Sequence, residues 1–141
     1  MKTSFKLDLS AMQSITRKMK DELDRDIEQV VMNTTRRVSL NAKGFAPVDK
    51  AGLKSSIRPT YMGKTGEVTV GVKYGPFLDF GTGSNAVIPQ GWEDVASKYW
   101  THKQWNGMRP QPYFYPAVDR QKHIFEKANE KALERVMNKR R

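Results

Sequence analysis

Arg58-Pro59-Thr60-Tyr61-Met62, then Gly63-Lys64-Thr65-Gly66, then Glu67-Val68-Thr69-Val70-Gly71-Val72-Lys73: this stretch separates an α+β chain from an all-helical one. Val68, Val70 and Val72 alternate with Glu67, Thr69 and Gly71, the period of two that a half-buried strand requires. The four residues between the runs hold two glycines, a turn signal. The stretch therefore reads as a β-hairpin with strands over 58–62 and 67–73 and one covered face.

Helices flank the hairpin on both sides. Upstream, Met12, Ile15, Met19, Leu23, Ile27, Val30, Val31, Thr34 and Val38 recur at steps of three and four, which predicts one helix over 10–42, about 50 Å long at 1.5 Å per residue. Ser10 with Gln13 offers a capping box behind Leu9, and Asn41 and Gly44 offer a stop. The spacing is close to 3.5, compatible with a helix–helix seam. A short helix over 49–57 follows Pro47, with Asp49 as its cap and Leu53 and Ile57 on one face. Downstream, Pro76 to Phe80 predicts a helical turn ended by Gly81-Thr82-Gly83, and a short helix is expected near Glu93 to Tyr99. Gln111 to Tyr115 reads as an extended strand. Pro116 suits the first turn of a last helix reaching about residue 138. Val118, Phe125, Ala128, Ala132 and Val136 give that helix an apolar stripe, while Glu126, Glu130 and Glu134 form a solvated row. The expected architecture is α+β: a small antiparallel sheet packed with a long N-terminal and a long C-terminal helix, in a single domain over 1–141.

Composition narrows the function classes. The 141 residues carry a net charge of +10, spread as +3 over 1–43, +3 over 44–116 and +4 over 117–141, with one basic cluster at Lys139-Arg140-Arg141. A basic balance favours anionic partners such as nucleic acid. Hydrophobic content is 38% and mean hydropathy −0.71, so the apolar supply is thin for a self-contained core, and burial against other chains is expected. No cysteine is present, which excludes disulfides and thiolate chemistry. The N-terminal residues lack the apolar core of a signal peptide, and no run approaches the ~20 apolar residues of a membrane span.

The residues give little to catalysis. His102 and His123 have no ligand-type partner at zinc spacing, and neither a metal nor a cofactor is expected. Asp49 and Asp79 form a carboxylate pair only if the fold unites them, and Asp49 already has a capping role. Gly63-Lys64-Thr65 resembles the end of a phosphate-binding loop, but Arg58 stands where that motif needs glycine. Gly81-Thr82-Gly83-Ser84 lacks the third glycine of a dinucleotide fingerprint. Trp92, Trp100 and Trp105 fall together in an otherwise polar segment, either as a small satellite cluster or as a patch for a partner.

Three phrases carry a resemblance. Ala46-Pro47-Val48-Asp49 with Leu53-Lys54-Ser55-Ser56-Ile57, Tyr74-Gly75-Pro76-Phe77-Leu78-Asp79-Phe80-Gly81-Thr82-Gly83, and Gln111-Pro112-Tyr113-Phe114-Tyr115-Pro116-Ala117-Val118 follow one another in this order. Together the chain resembles the tail-completion, or head–tail joining, family of long-tailed bacteriophages. It departs from that pattern at Lys50-Ala51, where Thr-Gly is usual, at Tyr115, where a basic residue is common, and in a longer 84–110 segment that holds the tryptophans. The resemblance implies a structural virion protein with no enzymatic activity. It implies a ring, commonly of six copies, at the top of the tail, joined to the head connector or stopper on one side and to tail terminator or tube proteins on the other. Phage DNA would pass through the centre, assembly would take place in the host cytoplasm, and no membrane is involved. The candidate interface comprises Phe77, Asp79, Gly81, Thr82 and Gly83, with Trp92, Trp100 and Trp105 in the insertion. A basic nucleic-acid-binding module, or another minor capsid or connector subunit, is the alternative reading.

Overall fold

The computed structural model describes residues 2–48, 51–99 and 107–139, the side chains of 2–15 and 51 aside. Among the described residues five α-helices, α1 (Lys2–Phe45), α2 (Ala51–Ser56), α3 (Gly75–Phe80), α4 (Glu93–Ser97) and α5 (Phe114–Asn138), surround a hairpin of β1 (Ile57–Met62) and β2 (Thr65–Val70), with one 3-10 turn over Gly83–Asn85. The fold is the expected α+β arrangement: two long helices packed together, with an antiparallel two-stranded sheet against them.

α1 and α5 run antiparallel. Asp26 of α1 meets Arg135 near the end of α5 at 3.5 Å, while Arg120 near its start lies over the ring of Phe45, 5.8 Å from the centroid. α1 is longer than the 10–42 expected. Its ladder passes through Ser10, so the capping box there does not form; residues 2–9 contain neither proline nor glycine to stop the helix. At the other end it passes through Asn41 and Gly44. Gly44 keeps a negative φ, and Ala46 N–H still donates to Ala42 O at 3.0 Å. The stop comes from Pro47, which disfavours helical backbone in the residue before it.

The hairpin turn is tighter than the four residues expected. β1 and β2 pair from Ile57↔Val70 to Met62↔Thr65, leaving only Gly63-Lys64 between them. Gly63 has φ 58°, which suits the first central position of a type II′ turn, the kind that matches strand twist. Lys64 is anchored to Asp24 at 2.6 Å. Ile57, Pro59 and Tyr61 share the inner face with Gly66, Val68 and Val70; Arg58, Thr60, Thr65, Glu67 and Thr69 point to solvent. β2 stops at Val70, so Val72 of the expected alternation leads out of the sheet. Glycine at 66 lets the hairpin lie close on α1, since a Cβ there would collide with Thr35.

The core is centred where the hairpin meets the facing ends of the long helices. Val38 and Ala42 of α1, with Ala46 just after it, pack with Leu53, Ile57, Leu78, Tyr113 and Ala117. Small residues on α1 and α5 allow close approach, and the large side chains come from the short elements between them. Along α5 the stripe continues inward through Ala132 and Val136, with Glu126, Glu130 and Glu134 exposed as expected. Asp49, the expected cap of α2, lies outside the described residues. α2 itself and α4 form where helices were expected, α2 ending one residue earlier at Ser56 and α4 two residues earlier at Ser97.

Candidate functional site

Nothing at the start of α5 can cap it locally. Tyr113 at its N-cap makes no side-chain cap bond, and no Ser, Thr, Asp or Asn stands within Gln111 to Tyr115. A helix start leaves amides that need acceptors, and burying them unpaired is costly. The acceptor comes from a different element. Asp79, near the end of α3, turns its carboxylate onto the first turn of α5: Oδ1 accepts from the amides of Tyr113 (2.9 Å) and Phe114 (3.0 Å), and Oδ2 from that of Tyr115 (3.1 Å). The next residue, Pro116, has no amide to satisfy. One carboxylate, held by a residue 34 positions away, completes the helix terminus. The positive end of the helix dipole favours its charge.

This clasp overturns the expected strand over Gln111–Tyr115. The amides of Tyr113, Phe114 and Tyr115 go to Asp79 and not to a neighbouring strand, and Phe114 already opens the helix. A second set of bonds runs beside it. Gln111 N–H donates to Leu78 O at 2.7 Å, Thr82 N–H to Met108 O at 2.9 Å, and Met108 N–H to Thr82 Oγ1 at 2.8 Å. The middle phrase and residues 107–115 are thus bonded along their length. Gly81 permits the approach: it sits at φ 76°, ψ −179°, and a Cβ there would lie 2.7 Å from Met108 O and 2.9 Å from Pro110 N. Gly107, at φ 67°, faces the Thr82 carbonyl more closely still.

Aromatic rings close over the clasp. Phe80 stacks on Tyr115 with centroids 5.7 Å apart and planes 2° from parallel, and Trp92 lies against Phe80, Phe114 and Tyr115 at 6.2–6.5 Å. Trp92 Nε1–H donates to both oxygens of Asp119, at 3.1 and 3.3 Å, which ties the 84–99 segment to α5. Such ring pairs add about 0.5–1.5 kcal/mol each beyond their burial.

Asp79 is 2% exposed. Burial raises its pKa above the ordinary carboxylate range; the three amide bonds oppose that shift without cancelling it, and the Asp119 charge adds to it. Burial likewise pushes the Tyr113 phenol up, with the Asp79 charge as the second cause. A raised native pKa means the folded chain binds this proton more tightly than the unfolded one. Its stability contribution is then fully present below the unfolded pKa, at about pH 4, and is lost as pH rises through the native pKa. Measured by urea unfolding, the stability of the native sequence relative to Asp79→Asn should be flat at the acid end, fall as pH rises through that window, and level off above it.

The structure brings Phe77, Asp79, Gly81, Thr82, Gly83 and Trp92 into one neighbourhood, and it turns the key member inward. Asp79, Gly81 and Gly83 are buried; Phe77, Thr82 and Trp92 are half-buried. Asp79, expected to reach an adjacent subunit, spends its carboxylate on α5. Trp100, Trp105 and His102 lie outside the described residues, and His123 is exposed on α5. Sequence reading missed the Asp79–α5 pairing and the anchoring Asp119. The available signal was a helix start with no capping residue beside an aspartate in an apolar phrase. Among the described residues no group of three or more His, Asp or Glu side chains is placed to hold a metal, and no helix is long and apolar enough to cross a membrane. Comparison with protein-family profiles, with curated proteins and with solved structures finds no match to this chain.

Proposed function

We propose that this chain is a structural subunit of a tailed-phage neck. In this reading several copies, most simply six, form a ring at the top of the tail that joins it to the head connector and lets DNA pass. One observation carries it. The three phrases behind the resemblance interlock: Leu53 and Ile57 of the early phrase share the core with Leu78 and Tyr113, and Asp79 of the middle phrase caps the helix that the late phrase begins. Residues whose chemistry is bound up in one another in this way define a framework, which is what a common architecture preserves. No catalytic constellation accompanies them in the reading.

Surface character agrees with an assembly role. Val48 is 87% exposed, Met62 85% and Leu40 66%, at the tip of the hairpin and around the end of α1. Large apolar side chains scattered on a surface are ordinary; here they accompany a core of mostly small residues, in a chain that gains by burial against neighbours. A neck subunit mixed with its connector and tail proteins should shift to a ring-sized mass by analytical ultracentrifugation. A chain that stays monomeric with them, and instead binds duplex DNA with affinity falling steeply as salt rises, would be the nucleic-acid module.

A further inference from the structure

The hairpin is too narrow for the helices beneath it. Two packed helices with axes 8–10 Å apart offer a platform about 20 Å wide, and strands about 4.8 Å apart would need about four to cover it. This sheet has two, lying mainly on α1. Beside β2 the platform is open. One cleft of about 410 Å³ lies between Gly66–Val68, Val31 and Val38 of α1, and Val118 and Phe125 of α5. A second, of about 390 Å³, continues along Val70 and Val72 toward Phe114 and Trp92. Val68 borders both, so together they flank the whole of β2.

The edge of β2 bordering these clefts is equipped for pairing. Gly71 N–H donates to Ser56 O at 3.1 Å, which sets the phase of the ladder: Glu67, Thr69 and Gly71 face β1, and Val68 and Val70 present their N–H and C=O groups to the other side. Among the described residues nothing bonds to those outward groups. The two edges differ. On β1 the corresponding outward position is Pro59, paired with Val68, whose missing N–H blunts that edge. β2 has no proline: its outward positions are Gly66, Val68 and Val70.

We propose that the β2 edge accepts an extended strand from another protein, with apolar residues at alternate positions facing Val118 and Phe125 and with acidic residues on its other face. The backbone groups call for a strand, and the cleft calls for its apolar alternation. The charge follows from the rim. Lys73 borders the groove beyond Val72 and is exposed, and no carboxylate among the described residues pairs with it; Glu67 borders the other end, so the acidic residues of the donor belong at the Lys73 end. A second copy of this chain, itself at +10, is disfavoured as the donor. Strand addition stands whether or not the chain serves in a phage neck.

The test uses the full chain and a synthetic acidic octapeptide that alternates valine with aspartate and threonine, followed by amide hydrogen exchange resolved by NMR. The peptide should slow exchange at Val68 and Val70 more than tenfold, with Glu67, Thr69 and Gly71 little changed because β1 already protects them. Val68→Pro should abolish the effect while Thr69 and Gly71 stay protected, which shows the hairpin intact. Lys73→Glu should weaken binding about tenfold. No slowing at millimolar peptide, or equal binding of a scrambled peptide, would overturn strand addition. Equal binding of a peptide with this chain's own residues 65–72 would overturn the acidic donor and make a second copy the occupant.

Discussion

Asp79→Ala should lower stability by about 3 kcal/mol, which for a domain of this size is a fall of roughly 10 °C in melting temperature. The substitution removes the acceptor for three amides at once, those of Tyr113, Phe114 and Tyr115. Each buried donor left without a partner costs about 1–3 kcal/mol, and loss of a helix cap alone costs about 1 kcal/mol. Relief from burying a charge offsets part of this, which keeps the expectation below the sum of the separate losses. Asp79→Asn should fall between, because its amide oxygen still accepts from Tyr113 and Phe114 while its NH2 faces the Tyr115 donor. Urea unfolding of the three proteins at neutral pH ranks them. Asp79→Ala within about 0.5 kcal/mol of the native sequence would show that α5 does not depend on the clasp.

Gly81→Ala should be as damaging for a different reason. At φ 76° and ψ −179° the backbone occupies a region essentially reserved for glycine, and the strain for any other residue is on the order of 1–3 kcal/mol. The added Cβ would also meet Met108 O at 2.7 Å and Pro110 N at 2.9 Å, backbone atoms that cannot move aside singly. Relief requires residues 107–113 to separate from the middle phrase, which breaks the Thr82–Met108 pair of bonds. A loss of about 3 kcal/mol is expected. Gly44→Ala is the internal control. Gly44 is helical, exposed and has open space around it, so alanine there should stabilise by about 0.5–1 kcal/mol. Chemical denaturation of both variants checks the contrast; equal effects would mean the geometry at Gly81 is not what makes it glycine.

Local features of this fold were legible in the sequence, and features made by distant residues were not. Val68 and Val70 announce their strand because alternation is a neighbour-to-neighbour property. The stripe from Val118 to Val136 announces α5 in the same way. Asp79 did not announce its role, because its partners are 34 to 36 residues away and backbone amides leave no mark on side-chain identity. The same blindness produced the strand expected over Gln111–Tyr115: aromatic residues behind a proline look extended until a remote carboxylate takes their amides. Ser10 misled in the opposite sense. A capping residue is permission to start a helix, and it does not prevent one from starting earlier. Gly81 and Gly83, expected at an interface, both lie buried, and the close approach at Gly81 is to Met108 and Pro110 of the same chain. Trp92 was read as either a satellite cluster or a partner patch, and within the chain it packs on the clasp through Phe80, Phe114 and Tyr115.

The neck assignment is tested most directly by electron microscopy of a lysate from a phage whose copy of this gene carries an early stop codon. The account predicts DNA-filled heads accumulating beside complete, unattached tails. Intact virions in normal numbers would contradict it.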